Sequence, residues 1–127
     1  MKTAELSGAA LDWAVAKAEV MNVSMSRGGW VVFDSDAFSE FRNDYNDDKL
    51  QKFSPSTNWA QGGAIIEREG ISICAMEDGR WTASTGELWM PAEGGITGET
   101  ALIAAMRCYA WAKLGYYVEV QIGRAHV

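Results

Sequence analysis

The sequence predicts a single α/β domain of the α+β kind, with helices on both faces of a small, mainly antiparallel sheet. Three observations predict it. Apolar residues recur at helical spacing in two stretches near the ends of the chain, Leu6 to Val20 and Glu99 to Leu114. Between them, Ile71-Ser72-Ile73-Cys74-Ala75-Met76 and Arg80-Trp81-Thr82-Ala83-Ser84 flank Asp78-Gly79, a two-residue hairpin signal. With 127 residues, no internal repeat and no low-complexity linker, the chain suits one domain with a real core. It reads as one domain over 1–127, with an acidic, partly mobile insertion over 34–52 and an atypical strand and tail over 116–127.

The first helix has Ser7 as N-cap, with Leu6 and Leu11 at the staple positions around it. Leu11, Ala14, Val15 and Ala18 share one stripe, and Trp13 and Lys17 are neighbours on another face. Trp13 is either core rim or a contact surface, core rim being favoured because large aromatics seldom stay exposed. Asn22 to Gly29 reads as a loop broken by Gly28-Gly29, and Trp30-Val31-Val32-Phe33 as a short strand. The next segment carries Asp34, Asp36, Glu40, Asp44, Asp47 and Asp48. Asp44, Asn46 and Asp48 alternate as calcium ligands do, but the glycine and closing glutamate of such a loop are missing. A solvated loop follows, with a short helix where Phe38, Phe41 and Tyr45 fall at helical spacing.

Phe53 to Gly70 is the stretch richest in turn chemistry. Pro55 biases Ser54 towards an extended backbone, and Ser56, Thr57 and Asn58 each offer a capping oxygen. Gly62-Gly63 then opens a short helix, Ala64 to Glu69, which Gly70 ends. A glycine pair at a helix start would leave outward-facing amides that favour an anion. In the strand after it, Ile71, Ile73 and Ala75 share one face and Ser72, Cys74 and Met76 the other, so both faces are expected to be covered. Thr85 to Gly98, with Trp89-Met90-Pro91, is a long loop. The second long helix takes Thr97 as N-cap and Gly115 as stop, with Leu102, Ile103, Met106, Ala110 and Lys113 or Leu114 on its stripe. Arg107 lies off that stripe, four residues before Trp111, at a spacing that allows the two to stack. Tyr116 to Ile122 alternates as a last strand, and residues 123–127 form a tail.

Seventeen acids against eleven bases give a net charge of −6, which argues against a sequence-independent grip on nucleic acid. No apolar run approaches a membrane span, and Met1 to Leu6 lacks the apolar core of a signal peptide, so a cytoplasmic location is expected. Cys74 and Cys108 are then reduced thiols. Two cysteines and one histidine do not build an ordinary closed zinc site, and no dinucleotide or P-loop fingerprint occurs, so no cofactor is expected. His126 lies one residue from the end, and nothing resembles a catalytic triad, so no enzyme is expected.

Three segments, LSGAALDWAVAKAE, FSPSTNWAQGGAIIEREGI and ETALIAAMRCYAWAKLG, together resemble a family of small phage-encoded proteins called NinX-like, related to the phage ABA-sandwich domain. They occur in the family's order along most of the chain. Ala64 and Ala101 stand where the family tends to have proline, and the segment from Tyr116 does not match its pattern. The resemblance implies an α-β-α sandwich and a phage or prophage origin in a bacterial host cell, and no established activity. The residues themselves point to a binding protein. Asn58, Trp59, Gln61, Gly62, Gly63, Arg68 and Arg107 supply amides, an indole and cations that suit a planar, anionic, nucleotide-like ligand, such as a host signal to be sequestered. The alternative is a host protein bound through the acidic 34–52 surface; a homo-oligomer is compatible with either.

Overall fold

In the computed structural model, residues 1–43, 48–86 and 95–120 are described. The expectations for Asp44, Tyr45, Asn46, Asp47, Trp89-Met90-Pro91 and the tail with His126 lie outside them. The mixed α+β class and the antiparallel pairing are as the sequence predicts. Among the described residues, six strands are shared between two three-stranded sheets. The first joins β1 (Val23–Met25), β2 (Val31–Asp34) and β3 (Leu50–Lys52), the second β4 (Ser72–Ala75), β5 (Trp81–Ser84) and β6 (Ile96–Gly98). The described residues also form three α-helices: α1 (Gly8–Ala18), α2 (Trp59–Glu69) and α3 (Ala101–Leu114).

The organising element is α3. Ala104, Ala105, Cys108 and Ala110 are small and fully buried, so neighbouring backbone can approach closely. A Cβ on Gly98 would stand 2.9 Å from Ala104 Cα, so β6 must carry glycine where it meets this helix. α3 touches α1, α2, a 3-10 turn at Thr3–Glu5 and all three strands of the second sheet, and α1 also reaches β2. Buried residues therefore surround α3 instead of forming the single stripe the sequence suggests. Its N-cap is Thr100, not Thr97, which lies in β6. Gly115 ends it as expected.

α1 begins after Ser7 and buries Leu11, Ala14 and Val15, matching its stripe. It ends in a Schellman turn: Met21 N–H donates to Ala16 O and Val20 N–H to Lys17 O. Val20 holds the left-handed position at φ 57°, a place normally filled by glycine.

The first sheet contains two strands that the sequence reads as loop, β1 and β3. Each is three residues long, too short for alternation to show. Partner register supplies what local pattern does not: Val23 faces Phe33 and Gln51 faces Phe33 from the other side. The acidic segment is correspondingly anchored at both ends, and a 3-10 turn at Ser39–Phe41 brings Phe41 onto Phe53, with ring centroids 5.1 Å apart. In the second sheet Ala83 and Ile96 face the core, whereas Cys74 is exposed, so the face it shares with Ser72 is open and not covered. Residues 116–120 form no strand; Tyr117 makes one bridge to Lys2, and Val118 accepts from the Met1 amino group.

Candidate functional site

α2 begins five residues earlier than the sequence suggests. Asn58 Oδ1 accepts the amides of Ala60 (2.9 Å) and Gln61 (3.4 Å), a capping geometry that starts the helix at Trp59. Ser54 O receives the amides of Thr57 and Asn58, tightening the turn before it. The glycine pair is consequently inside the helix. Gly62 N–H donates to Asn58 O at 2.8 Å, so the outward-facing glycine amides expected for an anion do not exist. The two glycines also differ. A Cβ on Gly62 would collide with the Pro55 carbonyl and stand 2.6 Å from Leu102 Cδ2, whereas Gly63 has only Trp59 Cε3 nearby, at 3.7 Å. Gly62 is there for a close helix–loop approach.

Gln61 is buried and committed to the fold. Its Oε1 accepts Ser54 N–H at 2.7 Å, and its Nε2 donates to Phe41 O and Lys52 O. One side chain thus ties α2 to β3, the Phe41 turn and the capping loop. Asp12, on α1, does the same from below. It is 6% exposed and accepts Ser56 N–H at 2.9 Å. Burial pushes its carboxyl up to about 6, against the opposing pull of Ser56 and Lys52.

Trp59 points the other way and is 58% exposed. It stands with Ser56 and Thr57 along one wall of a groove of about 230 Å³, whose opposite wall is the 100–103 start of α3. There Thr100 Oγ1 accepts Ile103 N–H at 3.1 Å and Thr100 O accepts Ala104 N–H. The amides of Ala101 and Leu102 in the first turn have no partner within the helix. The groove therefore combines an indole, hydroxyls and the positive end of a 14-residue helix.

The two arginines lie elsewhere. Arg68, at the far end of α2, forms a bidentate pair with Glu19, a 2.8 Å contact with Glu69 and a hydrogen bond to Tyr109. The bond to Glu19 raises its pKa above the ordinary arginine value, while Arg68 holds Glu69 below the usual carboxylate range. Tyr109, which also donates to Glu19, is driven upward by burial. This network fastens α1, α2 and α3 together. Arg107 does not stack on Trp111; its Nε donates to Leu6 O and its Nη1 to Thr97 O at 3.0 Å. Burial lowers its pKa. Of the seven candidate residues, five fall within 58–63 at the start of α2, and of these only Trp59 both lines the groove and is exposed.

Thr100 and Asp12 were not among the candidates. Asp12 leaves a trace in the sequence, because it sits beside Leu11 and Val15 on the buried stripe, where a carboxylate needs a partner. Thr100 leaves none, because its relation to Trp59 is purely tertiary. Cys108 is buried, which pushes its thiol up to about 11, so it is no nucleophile near neutral pH. Among the described residues no group of three or more His, Cys, Asp or Glu side chains could hold a metal ion, and no helix is long and apolar enough to cross a membrane.

No curated protein matches the chain. A family model does, the one described as bacteriophage P22 NinX, and it matches residues 2–113. That span takes in α1, α2, both described sheets, α3 up to its penultimate residue, the capping loop and both walls of the Trp59 groove. The chain belongs to the bacteriophage P22 NinX family.

Proposed function

We propose that this protein is a phage accessory protein that acts by binding, not by catalysis, and that the Trp59 groove takes a nucleotide-type small molecule. The observation that carries the reading is an exposed indole facing the first turn of a long helix across a groove. A base would stack on Trp59, and a phosphate would meet the Ala101 and Leu102 amides at the positive end of α3. Thr57 and Thr100 supply hydroxyls for a sugar or a base edge. Arg68 and Arg107 take no part, since both are engaged within the fold. Bound in this way, a host nucleotide signal would be withheld from its receptor.

A thermal-shift screen against mono-, di- and cyclic nucleotides tests the reading. At least one should raise the melting temperature, Trp59→Ala should remove that shift, and Trp59→Phe should keep part of it. Arg68→Ala should lower the melting temperature without removing the shift. A second reading is favoured by the exposure of Asp36, Glu40 and Asp48, and of Leu50, which is 60% exposed. If no nucleotide shifts the melting temperature and charge reversal at Asp36 and Asp48 abolishes capture of a host protein, the acidic surface is the functional one.

A further inference from the structure

A second groove, of about 240 Å³, lies at the end of α1, lined by Trp13, Lys17, Met21, Asn22 and Val23. Its chemistry differs from that of the Trp59 groove. Lys17 Nζ stands 5.1 Å from the centroid of the Trp13 ring. Among the described residues it forms no ion pair with any carboxylate. Lys2, Arg27, Arg42, Lys52 and Arg107 likewise form no ion pair among the described residues, so what sets Lys17 apart is its place in the lining of a groove. The nearest acid along the helix, Glu19, is occupied by Arg68 and Tyr109.

A helix end normally presents bare carbonyls, which repel anions. Here the Schellman turn closes them: Glu19, Val20 and Met21 amides donate to Val15, Lys17 and Ala16 carbonyls respectively. What faces the groove is therefore an ammonium on an indole, with the exposed Asn22 amide nearby. The turn that delivers Met21 and Asn22 is built on Val20, a β-branched residue in the left-handed region that is itself 87% exposed. Such strain persists only where surrounding structure imposes it.

We infer that the Trp13–Lys17 groove is a binding site for a small planar organic anion of the aromatic-carboxylate class, separate from the Trp59 groove. The carboxylate would pair with Lys17 and accept from Asn22, and the ring would lie against Trp13, Met21 and Val23.

The test is an NMR titration of ¹⁵N-labelled protein with indole-3-carboxylate, with indole-3-carboxamide as the neutral control. The Trp13 indole and Asn22 side-chain signals should shift saturably with the acid, with a dissociation constant of about 1 mM. The carboxamide should bind about tenfold more weakly, as should the acid to Lys17→Gln, while Lys17→Arg retains binding. Trp59→Ala should leave the titration unchanged, so failure of the nucleotide reading does not touch this one. Equal responses to acid and amide, no saturation, or an unaffected Lys17→Gln variant would overturn the inference.

Discussion

The two indole grooves are built by opposite means. Beside Trp59 the walls are helix starts, the polar groups are hydroxyls and amides, and the scaffold beneath is a buried hydrogen-bonded frame of Gln61 and Asp12. Beside Trp13 the wall is a helix end, the polar group is an ammonium, and the scaffold is a turn held in an unfavourable backbone conformation. The first groove relies on satisfied backbone partners to hold an aromatic outward. The second relies on an ammonium that pairs with no carboxylate among the described residues. Trp59 is exposed beside helix starts, whereas Trp13 is half-buried beside a helix end, so what each indole offers depends on the groups that stand next to it.

The contrast makes four predictions. Gln61→Leu should break the first scaffold, since Ser54 N–H, Phe41 O and Lys52 O all lose their partner. Urea unfolding should register a loss of about 4 kcal/mol, summed over those groups. Asp12→Asn should act with the opposite sign. The Asp12 carboxyl is raised from 3.8 to about 6 on folding, so its favourable contribution is full below pH 3.8 and is lost as pH rises through about 6. At pH 7.5 the asparagine variant should be more stable by up to about 3 kcal/mol, because the buried charge is gone. Its amide can still accept Ser56 N–H and can donate to Ser56 Oγ, which is buried without a hydrogen-bond partner. Stability curves measured from pH 4 to 7.5 should lose the Asp12 slope in the variant.

Val20→Gly addresses the second scaffold. Relief of the left-handed strain should stabilise the protein by about 1 kcal/mol, read as a raised denaturant midpoint with an unchanged slope. Trp59→Ala should change stability least, by within about 0.5 kcal/mol, because the indole is largely exposed. A large destabilisation there would mean that Trp59 is a packing residue, and the distinction between frame and groove would fail.

Parts of this architecture were legible before any coordinates. The stripe of α1, the hairpin at Asp78-Gly79 and the stop at Gly115 rest on interactions within a few residues, which local pattern records. Asn58 was legible as a capping residue, but the point where the helix begins was not. Glycine at positions 62 and 63 signals a break to local reasoning, while the close approach of Pro55 and Leu102 that requires the first of them is tertiary.

The sequence by itself determined the α+β class, both terminal helices, the antiparallel hairpin and the family, because periodicity, turn chemistry and motif order are properties of the chain. Only the tertiary structure decided the division into two sheets, the spending of Arg68 and Arg107 on internal partners, and the meeting of Trp59 with the start of α3. Those outcomes depend on groups tens of residues apart competing for the same partners, and no local pattern records who wins.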